Sequence, residues 1–412
     1  MEVKQGYKQT EVGLISEDWT VKRLEEVADI HSGGTPSTSQ SHFWDGDILW
    51  CTPTDITALK GRKYLNDTAR KITLQGLKSS SADLIPVNSL VMTSRATIGE
   101  CAINQLPVST NQGFKNFIPN KGTNTEFLYY LLQTKKQGFI RLCGGSTFLE
   151  IGKSQLNNFL VQWPSSKAEQ EAIAEALSDA DALIVSLEQL IQKKRLIKQG
   201  AMQELLRPKD GWVAMKLGRL GSFLKGSGVR REVAVSGDIP CVRYGEIYTR
   251  HNDFIKVFDS WISPEVALTA KPMKTGDMLF AGSGETKEDI GKCVAFLDDF
   301  EAYAGGDIII LRPENVNSRF LGYYLNSESI NRQKASKGQG DAVVHITANA
   351  LADVDLMMPS VDEQFAIASV LSDMDAELSS LEEKLMKVRH LKNGMMRNLL
   401  TGKIRLVIGS KF

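Results

Sequence analysis

The sequence predicts an α+β fold made of two similar halves, each with a globular part followed by one long helix. Three observations support this prediction: an internal duplication, a heptad pattern inside the duplicated segments, and short strand-like runs elsewhere without regular βαβ alternation. We expect the two long helices to pair as an antiparallel coiled coil, so that the chain forms a tandem repeat with pseudo-two-fold symmetry.

The duplication is clearest in residues 169–206 and 363–400, which align without a gap at an offset of 194 positions. About 20 of the 38 aligned positions are identical, whereas chance would give about two. Weaker matches keep the same order further upstream. They pair Trp19 with Trp212, Gly33 with Gly226, Cys101 with Cys293 and Ile151 with Ile346.

The duplicated segments have apolar residues at the alternating spacing of three and four that is typical of a coiled-coil seam. Pro164 and Pro359 lie just upstream, where proline can begin a helix but not continue one. A long helix that packs onto its own globular domain is the alternative. The residues predicted to pair the helices are Leu177, Ile184, Leu187, Ile191, Leu205, Leu371, Leu378, Leu381, Leu385, Val388 and Leu399.

The globular parts contain strand-like runs separated by clusters of Gly, Ser, Thr, Asn and Asp. The predicted strands are 47–50, 89–92, 117–118, 278–280, 293–296 and 308–311. Residues 127–133 and 320–326 are predicted to form short amphipathic helices. The resulting plan is a globular domain at 1–163, a helix at 164–208, a second globular domain at 209–358, a helix at 359–402 and a tail at 403–412.

Composition excludes several classes of protein. The chain has 412 residues, 49 basic and 49 acidic, and no apolar run approaches the 18 residues of a membrane span. The polar N-terminal sequence predicts no signal peptide, so we expect a cytoplasmic protein. Five scattered cysteines without a CxxC pair predict neither a zinc site nor a redox pair.

Two motifs resemble catalytic sites. Residues 280–284 spell FAGSG, a pattern found in methyltransferase cofactor loops. The matching stretch 90–95 lacks the glycines, and the chain has no Pro-Pro pair of the kind that adenine methyltransferases place at the flipped base. Asp277 with Glu285 and Lys287 resembles a nuclease constellation, but the first half has no counterpart. The sequence therefore favours binding over catalysis.

The ordered set of these features resembles the specificity (S) subunits of type I restriction-modification systems, the HsdS family. The resemblance covers essentially the whole chain. Ser16 stands where the family commonly has proline. The segments that carry the resemblance are YKQTEVGLI at 7–15, LEEVADIHSGGTP at 24–36 and the twice-repeated pattern EQxxIAxxLSxxD at the start of each long helix.

The resemblance implies a non-catalytic subunit of a type I adenine methyltransferase and restriction endonuclease complex. Each globular part would be a target-recognition domain that reads one half of an asymmetric bipartite site in double-stranded DNA. The paired helices would set the spacer and dock two modification (M) subunits, and restriction (R) subunits would join them. The chain would hold no cofactor or metal of its own, because S-adenosylmethionine, ATP and Mg would be bound by the partner subunits.

Basic and polar residues near predicted turns are the candidate DNA contacts, since such groups hold phosphates and reach base edges. They are Thr35, Lys60, Arg62, Lys63, Arg95, Arg230, Arg231, Arg243, Tyr244 and Lys287. For each basic segment a solvated surface is the alternative, and for Arg95 a structural salt bridge. Two other functions stay open: a coiled-coil scaffold with protein-binding globular ends, and a self-sufficient methyltransferase.

Overall fold

A computed structural model describes residues 5–143, 149–340 and 343–406, and the chain divides into two compact units. Unit 1 comprises Met1–Glu188 with Glu383–Phe412, and unit 2 comprises Gln189–Glu382. The divisions fall inside the two long helices, so each unit contains a part of both. The five sequence segments given above stay a prediction.

The described part of unit 1 is built on two mixed sheets, with strand orders β4-β11-β8-β9-β6 and β10-β5-β7. Its strands are β1 (Tyr7–Thr10), β2 (Gly13–Ser16), β3 (Thr20–Arg23), β4 (Ala28–Ser32), β5 (Trp44–Cys51), β6 (Tyr64–Leu65), β7 (Arg70–Ile72), β8 (Leu90–Thr93), β9 (Cys101–Asn104), β10 (Val108–Thr110), β11 (Phe114–Pro119) and β12 (Leu160–Trp163). Its helices are α1 (Pro53–Ala58), α2 (Leu74–Lys78), α3 (Thr125–Thr134), α4 (Lys136–Leu142), α5 (Lys153–Asn157) and the first part of α6 (Lys167–Leu205).

Unit 2 is likewise built on two larger sheets, ordered β14-β22-β18-β20 and β16-β15-β21-β17, beside the two-stranded pairs β13-β24 and β19-β23. Its strands are β13 (Val213–Lys216), β14 (Gly221–Lys225), β15 (Ile239–Val242), β16 (Ser260–Ile262), β17 (Lys271–Pro272), β18 (Met278–Ala281), β19 (Ser283–Gly284), β20 (Cys293–Ala295), β21 (Tyr303–Ala304), β22 (Ile308–Pro313), β23 (Val344–His345) and β24 (Asp355–Met358). Its helices are α7 (Tyr244–Thr249), α8 (Pro264–Ala267), α9 (Ser318–Tyr324), α10 (Glu328–Lys337), α11 (Ala348–Ala352) and the first part of α12 (Val361–Leu399).

The two units repeat one topology. The order β14-β22-β18-β20 corresponds to β4-β11-β8-β9, and β16-β15-β21 corresponds to β7-β5-β10. Gly99 and Gly291 both have left-handed φ values, +84° and +71°, which glycine adopts at no steric cost. Each lies two residues before the cysteine that opens β9 or β20. The predicted duplication and α+β class are therefore confirmed.

The predicted short helices are present, and the apolar stretch of each is buried on every side. All six residues from Phe127 to Leu132 in α3 are buried, and so are Phe320 to Tyr324 in α9. A helix that is apolar on all sides is buried on all sides. α3 and α9 accordingly contribute to the cores of units 1 and 2, alongside Trp19 and Trp212.

The long helices begin at matched caps. The backbone N–H of Glu169 donates to Ser166 Oγ at 3.1 Å, and that of Glu363 donates to Ser360 Oγ at 3.3 Å. Such a hydroxyl satisfies one of the free N–H groups of a first helical turn. Both helices lie within the segments predicted to be helical. Among the described residues, no helix combines the length and apolar character needed to cross a membrane.

Ion pairs give the relative direction of the two helices within each unit. In unit 1, Lys392 Nζ lies 2.5 Å from Asp181 Oδ1, and Arg389 Nη2 lies 2.5 Å from Glu188 Oε1. Residue numbers rise along α6 while those of the paired residues on α12 fall. The pairing is therefore antiparallel, as predicted. Unit 2 shows the same direction through the pairs Lys194–Glu377 at 2.6 Å and Lys198–Asp375 at 2.7 Å.

The predicted pairing residues are all buried or half-buried. Those at the helix ends also pack in the cores of the units, as the alternative of a helix packed onto its own globular domain implies. Leu177 and Leu399 belong to the core of unit 1, Leu371 belongs to that of unit 2, and Leu205 packs against the latter. The remaining residues, which lie along the middle of the helices, are Ile184, Leu187, Ile191, Leu378, Leu381, Leu385 and Val388.

A fully buried lysine closes one helix end in unit 2. Lys334 Nζ donates to Leu325 O at 2.9 Å and to Gly291 O at 2.8 Å. Burial lowers the pKa of Lys334 from 10.5 to about 8, because desolvation disfavours the charged form. Between these two pH values the unfolded chain binds the proton that the folded chain has lost.

The free energy of unfolding should therefore rise with pH between about 8 and 10.5 through Lys334, by roughly 1 kcal/mol per pH unit. Urea unfolding at pH 8 and 9.5 gives the free energy of unfolding of the wild type and of Lys334→Met. The difference between the two proteins should grow from the lower to the higher pH. The matched control is Lys256→Met, since Lys256 is exposed in the same unit. A wild-type advantage over Lys334→Met that falls or stays flat across this range would contradict the prediction.

Candidate nucleic-acid interface

A group of polar side chains lies around the turns that follow β8 and precede β11 in unit 1, with Thr35 after β4 and Lys115 on β11 itself. Arg95 Nε is 2.9 Å from Glu150 Oε2, and Lys115 Nζ is 3.9 Å from Glu150 Oε1. Thr35 Oγ1 donates to Gln112 Oε1. We call Thr35, Arg95, Gln112, Lys115 and Glu150 the unit 1 turn cluster. It presents two cations around a single carboxylate.

Close backbone contacts bring these turns together. The N–H of Gly34 donates to Thr110 O at 2.8 Å, and that of Ser94 donates to Gly113 O at 2.7 Å. A Cβ atom on Gly33 would lie 1.9 Å from Asn111 O, so only glycine allows the first approach. The turns that carry Thr35, Gln112 and Arg95 are thus held side by side by the backbone.

Two buried polar groups of this region have weak partners or none among the described residues, and the first, Lys115 Nζ, donates to Phe114 O at 3.4 Å. Lys115 is buried, and burial is the main cause that lowers its pKa, while Glu150 acts in the opposite direction. The hydroxyl of Ser94 is also buried and has no hydrogen-bond partner. Buried polar groups are normally paired, and an unpaired one costs free energy. The region therefore contains buried hydrogen-bonding groups that the folded chain does not fully pair.

A cleft of about 420 Å³ lies at the corresponding place in unit 2. Its polar lining, which we call the unit 2 turn cluster, consists of Lys225, Ser283, Asp307, His345 and Thr347. Ser283 Oγ and His345 Nδ1 are 2.9 Å apart and form a hydrogen bond whose donor depends on the histidine tautomer. Lys225 is exposed, and no described acidic residue pairs with it.

A close backbone approach that only glycine allows also shapes the unit 2 turn cluster. A Cβ atom on Gly226 would lie 2.0 Å from Gly305 O. This matches unit 1, where a Cβ atom on Gly33 would clash with Asn111 O. Glu150 and His345 occupy matched positions, each directly before the isoleucine that the duplication pairs, Ile151 or Ile346. The two units therefore share the scaffold at this place and differ in its chemistry.

Other predicted contacts lie on exposed turns. Lys60 and Arg62 flank a glycine turn after α1, where Arg62 Nε donates to Leu59 O at 3.2 Å. No ion pair links Lys60, Arg230, Arg231 or Lys287 to the acidic residues that the structure describes, and all four are exposed. Such cations are free to contact phosphates.

Two predicted contacts have structural roles instead. Lys63 Nζ lies 3.0 Å from Glu126 Oε2 and donates to Ser178 Oγ at 2.8 Å, and only 10% of its side chain is exposed. Arg243 Nε donates to Glu246 Oε1 at 3.0 Å. The structure supports DNA contact least for these two side chains, since their charges are paired and less than a third of each side chain is exposed. Tyr244, next to Arg243, is exposed.

Within the part of the chain that the structure describes, neither a metal site nor a reactive thiol is evident. The described residues contain no group of His, Cys, Asp and Glu that is arranged to hold a metal ion. All five cysteines are free, and four are buried. Burial raises the pKa of Cys101, Cys241 and Cys293 to about 12, which keeps them protonated at neutral pH.

Comparison with protein families identifies the repeat. The model of the type I restriction modification DNA specificity domain matches twice, at residues 16–199 and 209–388. The chain belongs to the type I restriction-modification DNA specificity family. The resemblance predicted from the sequence is thereby confirmed. As a member of this family, the chain carries two recognition domains and has a role in recognising DNA sequence.

Relatives match along the whole chain. The MjaIX specificity subunit of Methanocaldococcus jannaschii is 26% identical over 435 aligned residues, which cover 97% of this chain and 96% of that protein. The EcoprrI specificity subunit of Escherichia coli is 23% identical and covers 91% of each chain. Both are similar in length and order to the chain described here.

Solved structures share the fold. The S subunit of M. genitalium superposes with a TM-score of 0.56 at 14% identity and covers 97% of this chain and 98% of that one. The HsdS subunit of Thermoanaerobacter tengcongensis gives a TM-score of 0.53 at 16% identity, with 95% and 98% covered. At such identities the likeness concerns the fold alone.

Five residues of the turn clusters were not predicted from the sequence: Gln112, Lys115, Glu150, Ser283 and His345. One signal was present, since Glu150 and His345 precede matched isoleucines yet differ in charge. Lys115 had no signal, because it precedes the predicted strand 117–118 and nothing in its neighbourhood indicates that the fold buries it.

Proposed function

We propose that each recognition domain of this chain reads one half of an asymmetric bipartite site in double-stranded DNA. The paired helices set the spacer between the half-sites and dock two modification subunits, and restriction subunits join the assembly. The chain itself is non-catalytic in this proposal. It acts by deciding where the partner subunits methylate or cut.

The observation that carries the proposal is the repeated strand order with different chemistry at matched turns. A shared scaffold provides two equivalent DNA-binding positions, and exchanged side chains provide two different sequence preferences. Arg95 and Glu150 stand in unit 1 where Ser283 and His345 stand in unit 2. Base edges are distinguished by such donor and acceptor patterns.

Matched apolar residues on the long helices support the docking of two equivalent partners. Ile197 on α6 and Leu391 on α12 are 194 positions apart, as in the duplication, and are 46% and 61% exposed. Large apolar side chains exposed on a rigid helix are typical of protein interfaces. We infer that one modification subunit covers Ile197 and a second covers Leu391.

The partner subunits complete the chemistry in this proposal. S-adenosylmethionine, ATP and Mg are bound by the modification and restriction subunits, and the assembly works in the cytoplasm on the cell's DNA. The net charge of this chain is zero. Much of the phosphate neutralisation that DNA binding requires therefore comes from the modification subunits.

Methylome sequencing tests the proposed function directly. The chain is expressed with its modification subunit in a host that lacks adenine methylation, and adenine methylation is mapped across the genome. We expect one motif with two unlike half-sites separated by a fixed spacer. A control strain that expresses the modification subunit alone should lack the motif.

Two results would contradict the proposal. A palindromic motif would contradict the assignment of unlike half-sites to unlike domains. An unchanged methylome, with the modification subunit folded and expressed, would favour a coiled-coil scaffold whose globular ends bind protein.

A further inference from the structure

The exchange of Glu150 for His345 is unusual because the surrounding backbone is the same in both units. In unit 1 a backbone bridge pairs Arg95 with Glu150, and in unit 2 a backbone pairing joins Ser283 to His345. Both connect the turn after a central strand to the segment that precedes the matched isoleucine. Folding alone does not require a carboxylate in one unit and an imidazole in the other.

The ion pair of Arg95 leaves its most specific donors available. Glu150 is bound through Nε of Arg95, and no described residue accepts a hydrogen bond from its terminal Nη atoms. These atoms form a planar fork that matches guanine O6 and N7. Lys115 is the second cation beside Glu150, so Arg95, Lys115 and Glu150 together carry a formal charge of about +1. The cluster therefore favours an electron-rich ligand edge.

The unit 2 turn cluster offers a different donor set. His345 uses Nδ1 for its hydrogen bond to Ser283, so Nε2 remains for a ligand. The imidazole is exposed beside a cleft whose lining includes Lys225 and Thr347. A fixed imidazole can donate to or accept from a base edge, while an adjacent lysine suits a phosphate oxygen.

We propose that Arg95 and His345 are the base-reading side chains of the two recognition domains, and that Glu150 and Ser283 are the positioning residues that orient them. Arg95 contacts a guanine in one half-site, and His345 contacts a base edge in the other. This inference rests on the proposed function and goes beyond it by assigning specificity to named residues.

The incompletely paired hydrogen-bonding groups of unit 1 agree with this assignment. The buried hydroxyl of Ser94, adjacent to Arg95, has no hydrogen-bond partner, and the buried ammonium of Lys115 has weak partners, Phe114 O at 3.4 Å and Glu150 Oε1 at 3.9 Å. Both would gain partners from a ligand or from ordered water held at the interface. A merely structural salt bridge between Arg95 and Glu150 explains neither.

The test compares the methylated motif of variants expressed with the modification subunit. Arg95→Ala should relax one guanine position in one half-site, with preference for that base falling about 5- to 150-fold, while the other half-site is unchanged. Arg95→Lys should keep methylation and lose the same preference, because an ammonium group lacks the fork. Glu150→Gln should weaken preference at the same position to a smaller extent.

Arg23→Ala is the matched control. Arg23 is an arginine of unit 1 paired to Glu25 at 3.0 Å, with 53% of its side chain exposed against 46% for Arg95. Its removal should leave the motif unchanged. His345→Ala should relax one position in the half-site that Arg95→Ala leaves intact.

The outcomes separate the inference from the proposed function. An unchanged motif in Arg95→Ala and Arg95→Lys, or relaxation of both half-sites, overturns the inference while a bipartite wild-type motif still supports the proposed function. A wild type without a bipartite motif overturns both. If Arg95→Ala fails to assemble, Arg95→Lys decides, because lysine retains the positive charge beside Glu150.

Discussion

Replacing Arg405 with alanine is expected to destabilise unit 1 by about 3–5 kcal/mol, as measured by chemical unfolding. Arg405 binds the carboxylate of Glu169 through two contacts, Nε to Oε1 at 2.5 Å and Nη2 to Oε2 at 3.0 Å. Its Nη1 also lies 2.9 Å from Asp18 Oδ2. Without Arg405, the carboxylate of Glu169 would remain buried. Among the described side chains it would then accept a hydrogen bond from the indole N–H of Trp19 at 3.2 Å.

The duplication supplies a matched control for Arg405. Glu363 occupies the position of Glu169 in unit 2, where Lys209 approaches it at 3.9 Å. The side chain of Glu363 is 36% exposed, against 5% for Glu169, so Lys209→Ala should cost less than about 1 kcal/mol. Adding Glu169→Gln to Arg405→Ala should recover part of the loss. Equal effects of Arg405→Ala and Lys209→Ala would refute this account.

Glutamate at both Ile197 and Leu391 is expected to abolish assembly with the modification subunits. Burial of one such side chain contributes about 1.5–3 kcal/mol, and a carboxylate desolvated against an apolar partner adds a further cost. Affinity should fall by at least about 100-fold at each site. Glutamate is a good helix former, so the free chain should retain its fold.

Single substitutions make the prediction sharper. Ile197→Glu alone should yield complexes with one modification subunit, and so should Leu391→Glu alone, as measured by native mass spectrometry. Leu268→Glu is the control, because Leu268 is 88% exposed but lies outside the long helices. Complexes of unaltered stoichiometry in the double variant would show that the partners dock elsewhere.

The helices and the duplication could be predicted because their signals are local. A heptad pattern needs only the spacing of apolar residues, and the offset of 194 needs only sequence identity. The pattern shows that a helix has an apolar face, but not what covers it. For that reason the sequence could not show that Leu177 and Leu399, one from each long helix, also lie in the core of a globular unit.

The polar sites could not be predicted because their partners are distant in sequence. Arg405 and Glu169 are 236 positions apart, and nothing in either neighbourhood indicates the other. Lys63 was counted as a free cation, although Glu126 and Ser178 neutralise it in the fold. Charge counting along a segment cannot detect an acid that the fold brings from elsewhere.

The shared cores have a consequence for synthesis on the ribosome. Unit 1 includes Leu399 and Leu400 in its core, and Tyr7 donates a hydrogen bond to the carbonyl of Lys403. The first half of the nascent chain therefore emerges with an apolar face whose cover has not yet been translated. At about 5–20 residues per second, the 194 residues from 206 to 400 take about 10–40 s. For that interval the apolar face needs another cover, such as a chaperone, to avoid aggregation.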